Sequence, residues 1–214
     1  MLTSLPNLLT LSRIAAIPAL VALLFFDAPL YRWLACGLFV LAAVTDYFDG
    51  YFARTMGQIS AFGRFLDPIA DKLFVAAALL MLVHAERVSE LSVLAVLVIL
   101  CREILVSGLR EFLAGTAASL PVTWLAKWKT GIQMVAIAVL IVGEAGNGVL
   151  NPLLPIVLPI QTIGEVLLWL AALLTLITGY DYLRAGIRHM QAEDARDSVA
   201  RTAMKPAQST PPAE

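Results

Sequence analysis

The chain has 214 residues, of which 60% are hydrophobic and 14% charged, with a net charge of −1 and a mean hydropathy of +0.83. Soluble domains carry about 25% charged residues, so the deficit argues for a membrane protein. Near-neutrality leaves no global field to gather nucleic acid, which is excluded as a partner.

Before the first apolar run, Leu5-Pro6-Asn7 through Arg13 carries a Pro–Asn helix start and scattered polar residues, which predicts a short interfacial helix. There is no basic n-region, and Arg13 and Pro18 interrupt any h-region, so this end is read as part of the mature protein. A spanning helix needs about 20 mostly apolar residues. Six segments qualify: Leu9–Phe26, Tyr31–Tyr51, Ala70–His84 (starting nearer Arg64), Leu91–Leu113, Lys129–Val142 and Thr162–Leu183. Gly143–Ile160, rich in Gly, Asn and Pro, reads as a loop with short turns. After Met190 the composition turns to Glu193, Asp194, Arg196 and Asp197 and then to Pro, Ser, Thr and Ala, which predicts a frayed helix followed by disorder.

The expected fold is therefore all-α: a polytopic membrane protein with six transmembrane helices and an N-terminal interfacial helix, its membrane domain at 1–190 and a cytoplasmic tail at 191–214. Cys36 and Cys101, both in apolar segments, read as buried free thiols. His84 and His189 are isolated and receive no role. Basic residues set the orientation. Arg54, Arg64, Lys72, Arg110, Lys127, Lys129, Arg184 and Arg188 fall on one side of the six spans, and only Arg32 and Arg87 on the other. Both termini are thereby placed in the cytoplasm.

Inside this apolar chain sit four aspartates and an arginine at fixed spacing: Asp46-x-x-Asp49-Gly50-x-x-Ala53-Arg54, then Gly63, Asp67 and Asp71. A charge at the centre of a membrane helix costs roughly 2.5–3.5 kcal/mol on insertion scales. Carboxylates this close also repel one another. A hard divalent cation relieves both costs. Asp46, Asp49, Gly50, Ala53 and Arg54 share one broad helix face, and Gly63, Asp67 and Asp71 stripe a second helix every four residues. A short connection through Gly57 predicts that the two helices are antiparallel neighbours. Their carboxylates then surround one cation, or two about 4 Å apart. The small residues leave room for a flat ligand, and Arg54 offers a bidentate fork to a phosphate. Helix-flanking roles at the interface would account for one or two of these aspartates but not for four on two stripes.

The motif resembles, at all eight positions, the signature of the CDP-alcohol phosphotransferase family. The resemblance implies a six-helix membrane enzyme, usually a homodimer, that moves a phosphatidyl-type group from a CDP-lipid to an alcohol and releases CMP. It implies that Asp46, Asp49, Asp67 and Asp71 hold two Mg²⁺ or Mn²⁺ ions and that Asp71 is also the general base. Gly50, Ala53, Arg54 and Gly63 would contact the cytidine nucleotide.

The acceptor alcohol is read from other residues. Arg102 and Arg110 lie eight apart, about 80° around a helix axis, and so can face one cavity. Lys127 and Lys129 fall on the same membrane side, and converging cations suit a second phosphate. Positive-inside topology alone accounts for Arg110, Lys127 and Lys129, but not for Arg102, deep in an apolar segment beside Glu103. Asn7-x-x-Thr10-x-x-Arg13, the Arg102-Glu103 and Arg110-Glu111 pairs, and Trp124 through Gln133 resemble the bacterial branch of that family whose acceptor is glycerol 3-phosphate. This adds Arg13 and Thr130 to the acceptor set and implies CDP-diacylglycerol as donor, at the inner membrane of a bacterium. Two other readings stand beside this one: a different acceptor (serine, inositol phosphate or a phosphatidyl lipid), and a divalent-cation transporter with the aspartates as its filter. No acidic partner lies across the bilayer to continue such a path, since Glu144 and Glu165 are isolated.

Overall fold

A computed structural model describes residues 5–56, 61–114, 124–150 and 158–203; the side chains of 5–7, 47–56, 61, 62, 64, 65, 114, 126, 148–150, 189, 192–194 and 196–203 lie outside the description. Every regular element among the described residues is helical: α1 (Leu5–Leu24), α2 (Pro29–Met56), α3 (Ala61–His84), α4 (Val93–Ala114), α5 (Trp124–Val142), α6 (Ala145–Leu150) and α7 (Ile160–Ala203). The expected all-α class holds.

Several boundaries differ from expectation. No break separates an interfacial helix from the first apolar run, since α1 is continuous from Leu5. Pro6 falls in its first turn, where the missing N–H has no intrahelical partner to lose. Pro18 lies inside the helix without ending it. α3 starts at Ala61 and carries Pro68 within it. α5 starts at Trp124, so Lys127, Lys129 and Thr130 are helical rather than in a preceding loop. Part of the expected Gly143–Ile160 loop folds as α6, and 151–157 lie outside the described residues. α7 runs 44 residues, straight through position 190. The tail expected from 191 thus begins as helix, and 204–214 lie outside the described residues.

The closest helix pairs are α5 with α7, α1 with α3, α1 with α2 and α4 with α7. Among the described residues α1 therefore packs on both acidic helices. α2 and α3 also touch, with the Phe39 and Phe74 rings stacked at 5.5 Å, and the connection between them at 57–60 lies outside the described residues. The core contains Leu20, Phe39, Leu79, Leu82, Ile99, Ile137, Leu140 and Leu168. α7 lies tight on its neighbours through glycine. A Cβ on Gly186 would stand 2.7 Å from Leu109, and one on Gly179 would stand 3.0 Å from Arg102 Cγ. This is the small-residue packing of helices that lack a hydrophobic driving force between them.

Outward faces are apolar on every long helix: Leu41, Leu80, Ile104, Val135, Leu173 and Leu176 are exposed. The interior meanwhile holds Arg13, Lys129, Gln133, Thr175 and Thr178. Soluble monomers do not carry apolar surface on this scale. By length and composition one described segment, Ile160–Arg188, suffices to cross a membrane, and Leu8–Leu24 is a shorter apolar helix. Cys101 is exposed on this outer surface, contrary to the expected burial, and Cys36 is half-buried.

The helices alternate in direction, which gathers polar side chains at the two ends of the bundle. At one end Asp27, between α1 and α2, accepts from Arg32 at 2.5 Å and from Arg87 at 3.2 Å. Arg87 also donates to the Ile141 carbonyl at 3.0 Å. Close by in the fold, Glu165 accepts from Ser89 and Ser92 at 2.5 and 2.7 Å. The other end carries the motif residues.

Candidate active site

Four helices bring the acidic residues together. Asp46 lies in the C-terminal half of α2, and Asp67 and Asp71 lie one turn apart near the start of α3. α1 supplies two partners three residues apart, hence on one face. Thr10 donates a hydrogen bond to Asp67, and Arg13 pairs with Asp46 at 2.6 Å. Thr10 and Arg13 are both buried. The charges acting most strongly on Asp71 are those of Asp46, Arg13, Glu103 and Lys72, so α4 completes the surroundings. Gly63 is buried at the head of α3. Asp49, Gly50, Ala53 and Arg54 belong to α2, but their side chains lie outside the described residues.

Asp46, Asp67 and Asp71 offer the hard oxygen donors that Mg²⁺ or Mn²⁺ prefers, set on adjacent helices, and in kind they fit such an ion. Among the described residues no group of three or more candidate ligands closes around one point. Asp46 and Asp67 instead engage Arg13 and Thr10.

The basic residues meet on α4, α5 and α7. Arg102 donates to Glu103 at 3.1 Å and to Thr178 at 3.3 Å. Its guanidinium also lies 5.8 Å from the centre of the Tyr182 ring. Arg110 lies over the same ring at 5.4 Å and reaches the Tyr182 hydroxyl at 3.4 Å. The two arginines thus meet at the ring of one tyrosine on α7. Lys129 is buried and pairs with Glu103. Glu103 thus links two cations, and Arg110 shares the Tyr182 ring with one of them. Three cations gathered this way suit an anion.

Lys127 does not join this group. Two residues from Lys129, it stands about 200° around the helix. It is exposed and lines an outer cleft with Trp128 and Leu167. Thr130 is exposed on the next position. Arg13, grouped by sequence with the acceptor cations, instead serves the acidic side through Asp46.

Sequence reasoning passed over Thr10, Glu103, Thr178 and Tyr182 as site residues. The three-residue spacing of Thr10 and Arg13 was a usable signal, and so was Glu103 beside a buried arginine. Nothing local marks Tyr182, because its role depends on how α7 docks on α4.

A family model described as CDP-alcohol phosphatidyltransferase matches residues 3–177 of the chain. A protein of Rickettsia bellii named CDP-diacylglycerol–glycerol-3-phosphate 3-phosphatidyltransferase is 47% identical over 182 residues, covering 85% of this chain and 94% of its own length. Proteins with that name from Cereibacter sphaeroides and Bacillus subtilis are 42% identical over 217 residues and 36% identical over 191. They cover 89% and 84% of this chain, and 98% and 93% of their own lengths.

Proposed function

The chain belongs to the CDP-alcohol phosphatidyltransferase family, and from that premise we propose that it transfers the phosphatidyl group of CDP-diacylglycerol to glycerol 3-phosphate, giving phosphatidylglycerol phosphate and CMP. The observation that carries the acceptor reading is the cationic group of Arg102, Lys129 and Arg110, joined through Glu103 and gathered at the Tyr182 ring.

In this reading Asp46, Asp49, Asp67 and Asp71 hold two Mg²⁺ or Mn²⁺ ions, which when bound neutralise charge on the diphosphate and on the departing CMP. Arg13 and Thr10 orient Asp46 and Asp67. Gly50, Ala53, Arg54 and Gly63 take the cytidine nucleotide. Arg102, Arg110 and Lys129, with Thr130 nearby, receive the phosphate of glycerol 3-phosphate. Tyr182 and Thr178 fix the arginine geometry before the acceptor arrives, which lowers the ordering cost of binding. Asp71 takes the proton of the acceptor hydroxyl. The deprotonated hydroxyl oxygen of glycerol 3-phosphate then attacks the phosphorus that bears diacylglycerol, in line with the bond to CMP, and that bond breaks.

The apolar outer faces and the polar ends support a six-span arrangement in the inner membrane of a bacterium, with both termini and the site on the cytoplasmic side. A homodimer follows the family pattern. The test uses purified protein with CDP-diacylglycerol and separate acceptors, reading CMP release with and without chelator. Glycerol 3-phosphate is the preferred acceptor and chelation stops turnover; preference for serine would sink the acceptor reading.

A further inference from the structure

The outer face of α5 carries a cleft of about 420 Å³, on the side of the helix away from the buried Lys129 and Gln133. Trp128, Gly131, Ile132 and Val135 line it from α5 and Leu167 closes it from α7, with Lys127 as the single charged lining residue among the described residues. Its depth is graded. Lys127 belongs to the first turn of α5, at the end of the bundle that carries Lys129. Val135 and Leu167 lie two turns farther in. Trp124 and Trp128 meet edge to face at 5.4 Å beside the mouth, both indoles exposed. Exposed tryptophans at one level of an apolar surface mark the headgroup region. At Gly131 an added Cβ meets nothing within 4 Å, so open space continues along the floor.

A cation at headgroup depth above an apolar trough matches one ligand chemistry, and we propose that this cleft binds an anionic phospholipid, its headgroup on Lys127 and one acyl chain along Gly131 toward Leu167. The proposal rests on the membrane reading above. A second copy of the chain is the poorer occupant. A two-fold interface places the same patch on both subunits, so a contact centred here sets Lys127 against the partner's own lysine. The cleft also stands back to back with the site, because Lys129 and Gln133 occupy the opposite face of the same turns and are buried there. A lipid seated in the cleft braces the helix that holds Lys129 against Glu103.

The test reads tryptophan fluorescence of the full chain, with Trp33, Trp124 and Trp169 changed to Phe so that Trp128 reports alone. The protein is placed in phosphatidylcholine vesicles doped with either a brominated anionic phospholipid or brominated phosphatidylcholine. The anionic lipid quenches saturably, with about a fivefold preference from one lysine near the surface. Lys127→Gln removes the preference. Gly131→Leu fills the floor and removes saturable quenching, while the added helix propensity keeps the protein folded. Equal quenching by both lipids overturns the proposal, as does saturable quenching that survives Gly131→Leu. Quenching by neither lipid, together with monomers appearing in Gly131→Leu, assigns the face to a dimer and also overturns it. A companion protein retaining only Trp33, which is exposed on α2, separates the two levels of failure: if Trp33 escapes both brominated lipids, the membrane reading itself falls. Because no substrate is present, a wrong acceptor assignment leaves every one of these outcomes unchanged.

Discussion

Arg13 on α1 pairs with Asp46 on α2 at 2.6 Å, with the arginine side chain only 3% exposed and the aspartate 43% exposed. A buried guanidinium held against a carboxylate fixes where that carboxylate points. Arg13→Gln is therefore expected to raise the Mg²⁺ concentration needed for half-maximal turnover by about 10–100-fold, the usual cost of losing a partner to a metal ligand. Arg13→Lys restores part of it. A metal titration of CMP release checks this, and an unchanged midpoint in Arg13→Gln would refute the positioning role.

Asp71→Asn is expected to abolish CMP release while leaving membrane insertion and thermal unfolding close to wild type. The amide keeps the shape of the side chain but accepts no proton. Turnover near normal in detergent removes Asp71 from the base role.

Glu103 joins Lys129 and Arg102, and removing its charge leaves Lys129 buried beside another cation. Breaking a buried pair from one side costs about 3–5 kcal/mol, and the partial exposure of Glu103 puts this case toward the lower figure. Glu103→Gln should lower the unfolding temperature. In the same protein the KM for glycerol 3-phosphate should change more than the KM for CDP-diacylglycerol. Equal changes in both would separate Glu103 from the acceptor side.

Gly179→Leu places its Cβ 3.0 Å from Arg102 Cγ, and the rest of the side chain has to displace the arginine. Glycerol 3-phosphate KM is expected to rise about tenfold or more, the effect of losing one charge-assisted hydrogen bond. Gly37→Leu, where an added Cβ meets nothing within 4 Å, serves as the control.

At the far end of the bundle, the hydrogen bond from Arg32 is the main influence holding Asp27 below its usual 3.8, with Arg87 adding to it. A depressed carboxylate contributes stability that is present above 3.8 and is lost as pH falls through its lower folded value. Wild type should therefore lose more stability than Asp27→Asn between pH 5 and the onset of acid unfolding. Thermal scans in detergent at stepped pH read the difference, and parallel curves would show that the cluster contributes nothing.

Much of the site was legible because its chemistry is carried by charge in a place where charge is costly. Asp46, Asp67 and Asp71 declared themselves by spacing, and Arg102 by depth. The eight-position motif pointed to the family that the family model then matched. What spacing did not disclose was which helix answers each charge. The spacing predicts aspartates facing across α2 and α3, and the structure adds α1, which packs on both helices and reaches Asp67 and Asp46 with Thr10 and Arg13. Lys127 and Lys129 look alike in sequence and part company once α5 starts at Trp124, because two steps on a helix point to nearly opposite sides. Tyr182 was invisible for the same reason: a ring becomes a platform for two arginines only when Gly179 and Gly186 let α7 lie close on α4.

The 44 residues of α7 make a rod about 66 Å long at 1.5 Å per residue, roughly twice the thickness of a bilayer's hydrocarbon. In the membrane arrangement proposed above, its far portion extends past the hydrocarbon into water. Tyr182 sits partway along the same rod, so the two guanidiniums over that ring and the emerging end of the helix belong to one continuous element.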